Sequence, residues 1–188
     1  VSKPNTQNPT RKTNMQIIKG VVSEPQKVVI YGPQGIGKSS LAALFPNPLF
    51  LDTEKGSRRL NIDRLEIDTL KDMETVLSDI EKGKYDEYES YAVDTFDWLE
   101  AKVKEKIVSQ YSAKDRAYDR EGSYIGDEIM KILCRLDGLI KRGKNVILLA
   151  HSATVKIDLP DQQASFDRYE LDMNKKHVAP IVKHWADH

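Results

Sequence analysis

The sequence predicts an α/β fold, a mainly parallel central sheet with helices on both faces, and three observations predict it. Continuous apolar runs recur at Lys27–Tyr31, Pro48–Leu51, Tyr91–Asp94 and Val146–Ala150, the kind of strand buried on both faces of a parallel sheet. Between the runs, apolar residues return at helical spacing, so strands and helices alternate. A glycine-rich loop, Gly32-Pro33-Gln34-Gly35-Ile36-Gly37, leads directly from the first run into a short helix.

Composition bounds the rest. The 188 residues are enough for one domain with a sizeable core. Apolar residues make up 39% and charged residues 31%, and no apolar run approaches the ~18 residues a membrane span needs. The first residues are polar, unlike a signal peptide. Cys134 stands alone, which excludes an internal disulfide framework and fits an intracellular setting. The formal net charge is zero, so any nucleic-acid contact must rest on a local basic patch.

Taken in order, residues 1–14 read as a disordered, mildly basic arm, and 15–188 as a single domain. Ile17–Val22 predicts a short strand. Lys27–Tyr31 is the first core strand, and Lys38–Leu44 a short helix stopped by Pro46. Pro48–Leu51 is the next strand, with another short one at Leu65–Ile67. Thr69 with Asp72 three residues on predicts a capped helix bearing Met73, Val76, Leu77 and Ile80 on one face, ended by Gly83. Tyr91–Asp94 is followed by a helix marked by Phe96, Leu99, Val103 and Ile107.

Residues 111–125 lack helical periodicity and read as a long polar loop. Ile129, Ile132, Leu133, Leu136, Leu139 and Ile140 mark a strong helix ended by Gly143, and Val146–Ala150 is the fourth core strand. Residues 153–168 read as a second polar stretch, a loose hairpin, with a strand at Tyr169–Met173. Val178, Ile181, Val182 and Trp185 line a last helix. A strand would be natural after it, so the expectation is that the chain is clipped at that end.

In such sheets ligands sit at the carboxyl ends of the strands, where the chemical residues fall. Gly32-Pro33-Gln34-Gly35-Ile36-Gly37-Lys38-Ser39 has the spacing and the strand–loop–helix context of a P-loop. Its glycines let backbone N–H groups, with Ser40 following, converge on phosphate oxygens at a helix N-terminus. Lys38 is placed to reach the β- and γ-phosphates and Ser39 to bind Mg²⁺, so the expected ligands are ATP and Mg²⁺. Asp94 ends an apolar strand and is the second candidate for the metal, with capping of the next helix as the plainer role.

Glu54, just beyond the second core strand, is placed either to activate the attacking water or to be a solvated turn residue. His151 reads as a γ-phosphate sensor or a strand-end histidine. His177 and His184, without a carboxylate or cysteine at ligand spacing, read as surface residues. The polar loops carry Lys114, Arg116, Arg120, Lys156 and Arg168 with interleaved Tyr118, Tyr124 and Phe166. That mixture suits single-stranded DNA, although Asp115, Asp119, Asp158 and Asp161 dilute it.

The whole resembles the RecA-like P-loop ATPases. In that family the strand after the P-loop ends in Asp-x-Glu, matched here by Asp52-Thr53-Glu54, and the resemblance implies that Glu54 is the catalytic base. The Walker B aspartate maps onto Asp94, and His151 takes the sensor position, where the family usually has glutamine. Within the superfamily the chain is similar to phage-encoded single-strand annealing proteins of the Sak type. Tyr31–Ser39, Val93-Asp94-Thr95, Leu149-Ala150-His151-Ser152 and Lys183-His184-Trp185-Ala186-Asp187 carry that likeness.

The resemblance implies a DNA-stimulated ATPase of phage recombination in the bacterial host cytoplasm. It implies self-association into a ring or filament, DNA at the two polar loops, and a single-strand DNA-binding protein as a further partner. It also implies a basic residue reaching the neighbouring subunit's site, for which Lys175 and Lys176 are the candidates. A helicase-like motor or loader, or a nucleotide-gated module without nucleic acid, are the alternatives.

Overall fold

The computed structural model describes residues 24–158 and 165–188; the arm expected at 1–14 and the strand expected at Ile17–Val22 lie outside them. Among these residues the helices and strands follow in the order β1 (Lys27–Gly32), α1 (Lys38–Ala42), β2 (Pro48–Asp52), β3 (Asp63–Glu66), α2 (Leu70–Glu81), β4 (Ser90–Asp94), α3 (Phe96–Gln110), α4 (Arg120–Ile140), β5 (Asn145–Asp158), β6 (Ser165–Leu171) and α5 (Ala179–Trp185). Five strands form a parallel sheet in the order β1-β5-β4-β2-β3, and β6 pairs antiparallel with β5. The strand carrying His151 thus lies between the P-loop strand and the Asp94 strand.

Alternation along the strands divides the core in two. Leu49, Leu51, Tyr91, Val93, Val146, Leu148 and Ala150 face the large cluster built with α2, α3, α4 and α5. Phe50, Ala92, Ile147 and Leu149 face the other side, where Ala42 of α1 and the partly buried Ala43 and Phe45 cover them. Helices therefore lie on both faces, unequally.

The capping box of α2 forms as expected: Thr69 Oγ1 accepts from the Asp72 N–H at 3.1 Å and Asp72 Oδ2 accepts from the Thr69 N–H at 2.8 Å. The buried residues of α3 are Phe96, Leu99, Val103 and Ile107, the four the periodicity picks out. Residues 187–188 lie against the outer edge of β1, where the Val29 N–H donates to the His188 carbonyl at 2.8 Å and the Asp187 N–H to that of Lys27 at 2.8 Å. No helix among the described residues is long and apolar enough to cross a membrane.

Three expectations need correction. The polar loop expected over 111–125 is shorter, because α4 begins at Arg120. Its buried stripe starts with Gly122, Ile125 and Gly126, and two of those positions carry no apolar side chain to register a period. They are glycine because the turn before α5 packs there: an added Cβ would meet the His177 ring at 2.5 Å from Gly122 and the His177 carbonyl oxygen at 2.9 Å from Gly126. The loose hairpin is instead regular, with β5 extending to Asp158 and pairing with β6 from Ser152↔Leu171 to Asp158↔Ser165. Finally, α1 closes at Ala42 rather than Leu44, with tight turn bonds from Leu44 to Leu41 and from Phe45 to Ala42.

Candidate nucleotide-binding site

The P-loop bends back on itself between β1 and α1. Gly35 (φ 79°) and Gly37 (φ 101°) take left-handed backbone, which any side chain would strain, and no atom lies within 4 Å of where either Cβ would be. Gly32 is the last residue of β1 and is in register with His151. Pro33 contributes its carbonyl, and Ile36 lies 67% exposed on the outside of the turn. The inside of the loop forms one wall of a cavity of about 440 Å³, lined by Gln34, Gly35, Gly37, Lys38, Ser39 and Ser40. Glu54 just beyond β2, Asp94 and Thr95 at the end of β4, and His151 in β5 line the same cavity.

Charge inside the cavity is unbalanced at close range. Lys38 is 8% exposed. Its Nζ donates to the carbonyls of Gly32 (3.0 Å) and Pro33 (3.1 Å), and no carboxylate among the described residues forms an ion pair with it. A buried ammonium held only by carbonyl dipoles is a costly arrangement that an anion relieves. Opposite it, Ser39 Oγ donates to Asp94 Oδ2 at 2.6 Å. Burial pushes the Asp94 carboxyl up from its ordinary value, with Asp52 and Glu54 adding to that push and the Ser39 bond and Lys38 opposing it.

Asp52 is 1% exposed; one of its oxygens accepts from Ser57 Oγ, and Oδ1 has no hydrogen-bond partner among the described residues. Hard oxygens from a hydroxyl and a carboxylate, beside an excess of buried negative charge, fit a small divalent cation. The open glycine cradle and the Lys38 ammonium fit a polyphosphate. Capping of α3 is not the role of Asp94, since the N-cap is Thr95.

Glu54 stands at the cavity's edge, its Oε1 accepting from Thr95 Oγ1 at 2.8 Å and lying 3.8 Å from His151 Nδ1. His151 is an internal residue of β5 rather than one that follows it, because the strand runs on into the hairpin. Its ring Nδ1 lies 2.9 Å from Asp97 Oδ2, and its backbone N–H donates to Asp97 Oδ1 at 3.0 Å.

The AAA domain family matches residues 24–188. The chain belongs to that family. The P-loop, Asp94 and the parallel sheet between them are thus parts of an AAA domain with a nucleotide-type P-loop core. No curated protein matches this AAA domain at a significant level.

Sequence reasoning missed Asp97, which is 54 residues from its partner and carries no spacing signal; its only trace is an acid in the first turn of α3. It also missed Arg59, which lines the cavity from the turn Gly56–Arg59.

The expected DNA-contact residues lie away from the cavity. Lys114 is exposed in the loop before α4, and Arg120 is the first residue of α4. Arg116 is tied to Glu121 at 2.5 Å and to the Tyr111 carbonyl at 3.1 Å. Lys156 is exposed on β5, and Arg168 on β6 pairs with Glu170. Lys175 borders a separate hollow beside the hairpin, Lys176 pairs with Asp119, and neither lines the P-loop cavity of its own chain. His177 is not a plain surface residue: its ring packs on Gly122 and its Nε2 lies 2.8 Å from Asp119 Oδ2.

Proposed function

We propose that this AAA domain binds and slowly hydrolyses ATP, and that the nucleotide state gates binding and annealing of single-stranded DNA in phage recombination. The observation that carries the nucleotide reading is the Lys38 ammonium, buried without a carboxylate partner among the described residues, beside the Ser39–Asp94 pair. Lys38 and the loop amides neutralise and orient the terminal phosphates, as charge-assisted bonds in a recess sheltered from water do. Ser39 and Asp94 are the residues that would hold Mg²⁺, whose charge would offset that of the phosphate oxygens. Glu54, held by Thr95 at the cavity's edge, accepts a hydrogen bond from the attacking water and acts as its base.

The DNA half of the reading is supported by continuity. β5 runs unbroken from His151 at the cavity to the hairpin, which exposes Phe166 and Tyr169 beside Lys156 and Arg168. Exposed aromatics with cations suit stacking and phosphate tracking along a single strand. Assembly of several copies, with Lys175 or Lys176 reaching a neighbour's site, belongs to the same proposal, as does cooperation with a single-strand DNA-binding protein.

The test is one purified preparation assayed for ATP hydrolysis with and without a single-stranded oligonucleotide, and for an ATP-dependent gel shift of that oligonucleotide. Stimulated hydrolysis together with the shift is the expected result. Tight ATP binding indifferent to DNA would remove the annealing half, and unwinding of a forked duplex would replace it with a motor.

A further inference from the structure

The Asp97–His151 contact lies where β5 changes neighbours. Its pairing with β4 ends at Asp94↔Leu149, and its pairing with β6 begins at Ser152↔Leu171. The N–H and C=O of one strand residue point to the same edge of the strand. On that edge the His151 carbonyl accepts from the Asp172 N–H at 3.0 Å, while the His151 N–H has no strand carbonyl and takes Asp97 Oδ1 instead. The other oxygen of the same carboxylate meets the ring at Nδ1. One side chain from α3 thus fixes both the backbone and the ring of His151.

An ionised carboxylate only accepts hydrogen bonds, so the ring nitrogen facing Asp97 must carry a proton. A neutral imidazole has one N–H and one lone pair. With the N–H directed to Asp97, the lone pair is on Nε2, which no group among the described residues bonds, on a side chain that lines the P-loop cavity.

We propose that Asp97 is a positioning residue that pins the proton of His151 on Nδ1, so that Nε2 accepts a hydrogen bond from the attacking water instead of donating one to the terminal phosphate. The water-orienting role rests on reading the cavity as an ATPase site; the pinned ring does not. Together Glu54 and His151 then act as two acceptors for the two hydrogens of one water. The contact also links the cavity through β5 to the hairpin.

The backbone half of the clamp is structural, and asparagine can serve it. The ring half is not, because an amide that accepts from the His151 N–H with its oxygen turns its NH₂ toward Nδ1. Asp97→Asn should therefore keep the fold and move the ring proton to Nε2.

The experiment is ¹⁵N-edited NMR of histidine-labelled protein at pH 7.5, with His151 assigned by comparison with His151→Gln, alongside steady-state ATPase kinetics. The wild type should show a neutral ring protonated at Nδ1, and Asp97→Asn one protonated at Nε2. In the same variant kcat should fall about 10- to 100-fold, the loss of roughly one hydrogen bond in the transition state, with KM nearly unchanged. Asp97→Asn placed on His151→Gln should cost nothing further.

A wild-type ring protonated at Nε2, or at both nitrogens, would overturn the proposal, as would an equal loss in both backgrounds. No ATP turnover in the wild type, with the Nδ1–H signal present, would strike down the ATPase reading and the water role while leaving the pinned ring standing.

Discussion

The carboxyl edge of the sheet and the surface around the β5–β6 hairpin handle charge in opposite ways. At the edge, Lys38 is buried and meets only carbonyls, while Asp52 and Asp94 are buried with no cation among the described residues in ion-pair contact. Around the hairpin, several cations have carboxylates in reach: Arg168 and Lys183 both meet Glu170, Lys176 meets Asp119, and Arg116 meets Glu121. Surface pairs of that kind contribute little to stability, about 0–1 kcal/mol each, and each weakens the field a nucleic acid would follow. Uncompensated charge in a recess therefore points to a ligand far more directly than a count of surface lysines and arginines.

The sharpest way to break this contrast is at the edge. Glu54→Gln should retain ATP binding and lower turnover by about 10² to 10⁴, the range for removal of a general base; equal turnover in a single-cycle assay would take Glu54 out of the chemistry. Lys38→Ala should weaken ATP by about 100-fold in calorimetry, since removal of a charge-assisted hydrogen bond costs about 1.5–3 kcal/mol. Retained affinity would mean that the buried ammonium faces something other than phosphate.

Gly126→Ala tests the wall on which the hairpin side leans. Helix propensity alone favours alanine by about 1 kcal/mol, yet the new Cβ would press on the His177 carbonyl. Overpacking costs about 1–3 kcal/mol, so a net destabilisation of up to about 2 kcal/mol in urea unfolding is expected, and a stabilised variant would show that the turn yields.

Reversing Lys156 and Arg168 to glutamate should lower the salt slope of single-strand binding by about 0.7 for each phosphate that is no longer neutralised. Most of that loss should come from Lys156, since Arg168 is already paired with Glu170, and reversing Arg116, already paired with Glu121, should change the slope little.

The smallest effect concerns Glu100, whose carboxyl is pushed up by burial, then by Asp97 and Asp172, against the Asn174 N–H and Lys104. The folded state holds that proton more tightly than the unfolded chain does. Stability then falls as pH rises from the ordinary value of 4.5 through the raised one. Glu100→Gln should flatten that part of the curve in denaturation measured across pH, and an unchanged slope would assign it to other groups.

Much of the fold is legible in the sequence. Four core strands, the capping box of α2 and the buried stripe of α3 follow from patterns confined to a few neighbouring residues. The start of α4 is hidden because two of its contact positions are glycine, chosen for what packs against them rather than for hydrophobicity. The hairpin is half legible, since both of its strands are polar and gain order from pairing with each other.

The sequence by itself determined the P-loop, the strand–helix alternation and the four candidate positions Lys38, Ser39, Glu54 and Asp94. Each is written in a contiguous stretch whose local conformation follows from glycine, β-branched and capping residues. Only the tertiary structure decided that Asp97 holds His151, that Arg59 enters the cavity and that Arg116 and Lys176 are already paired with Glu121 and Asp119. Those facts depend on distances between residues 5 to 57 positions apart, and no local preference of the chain encodes them.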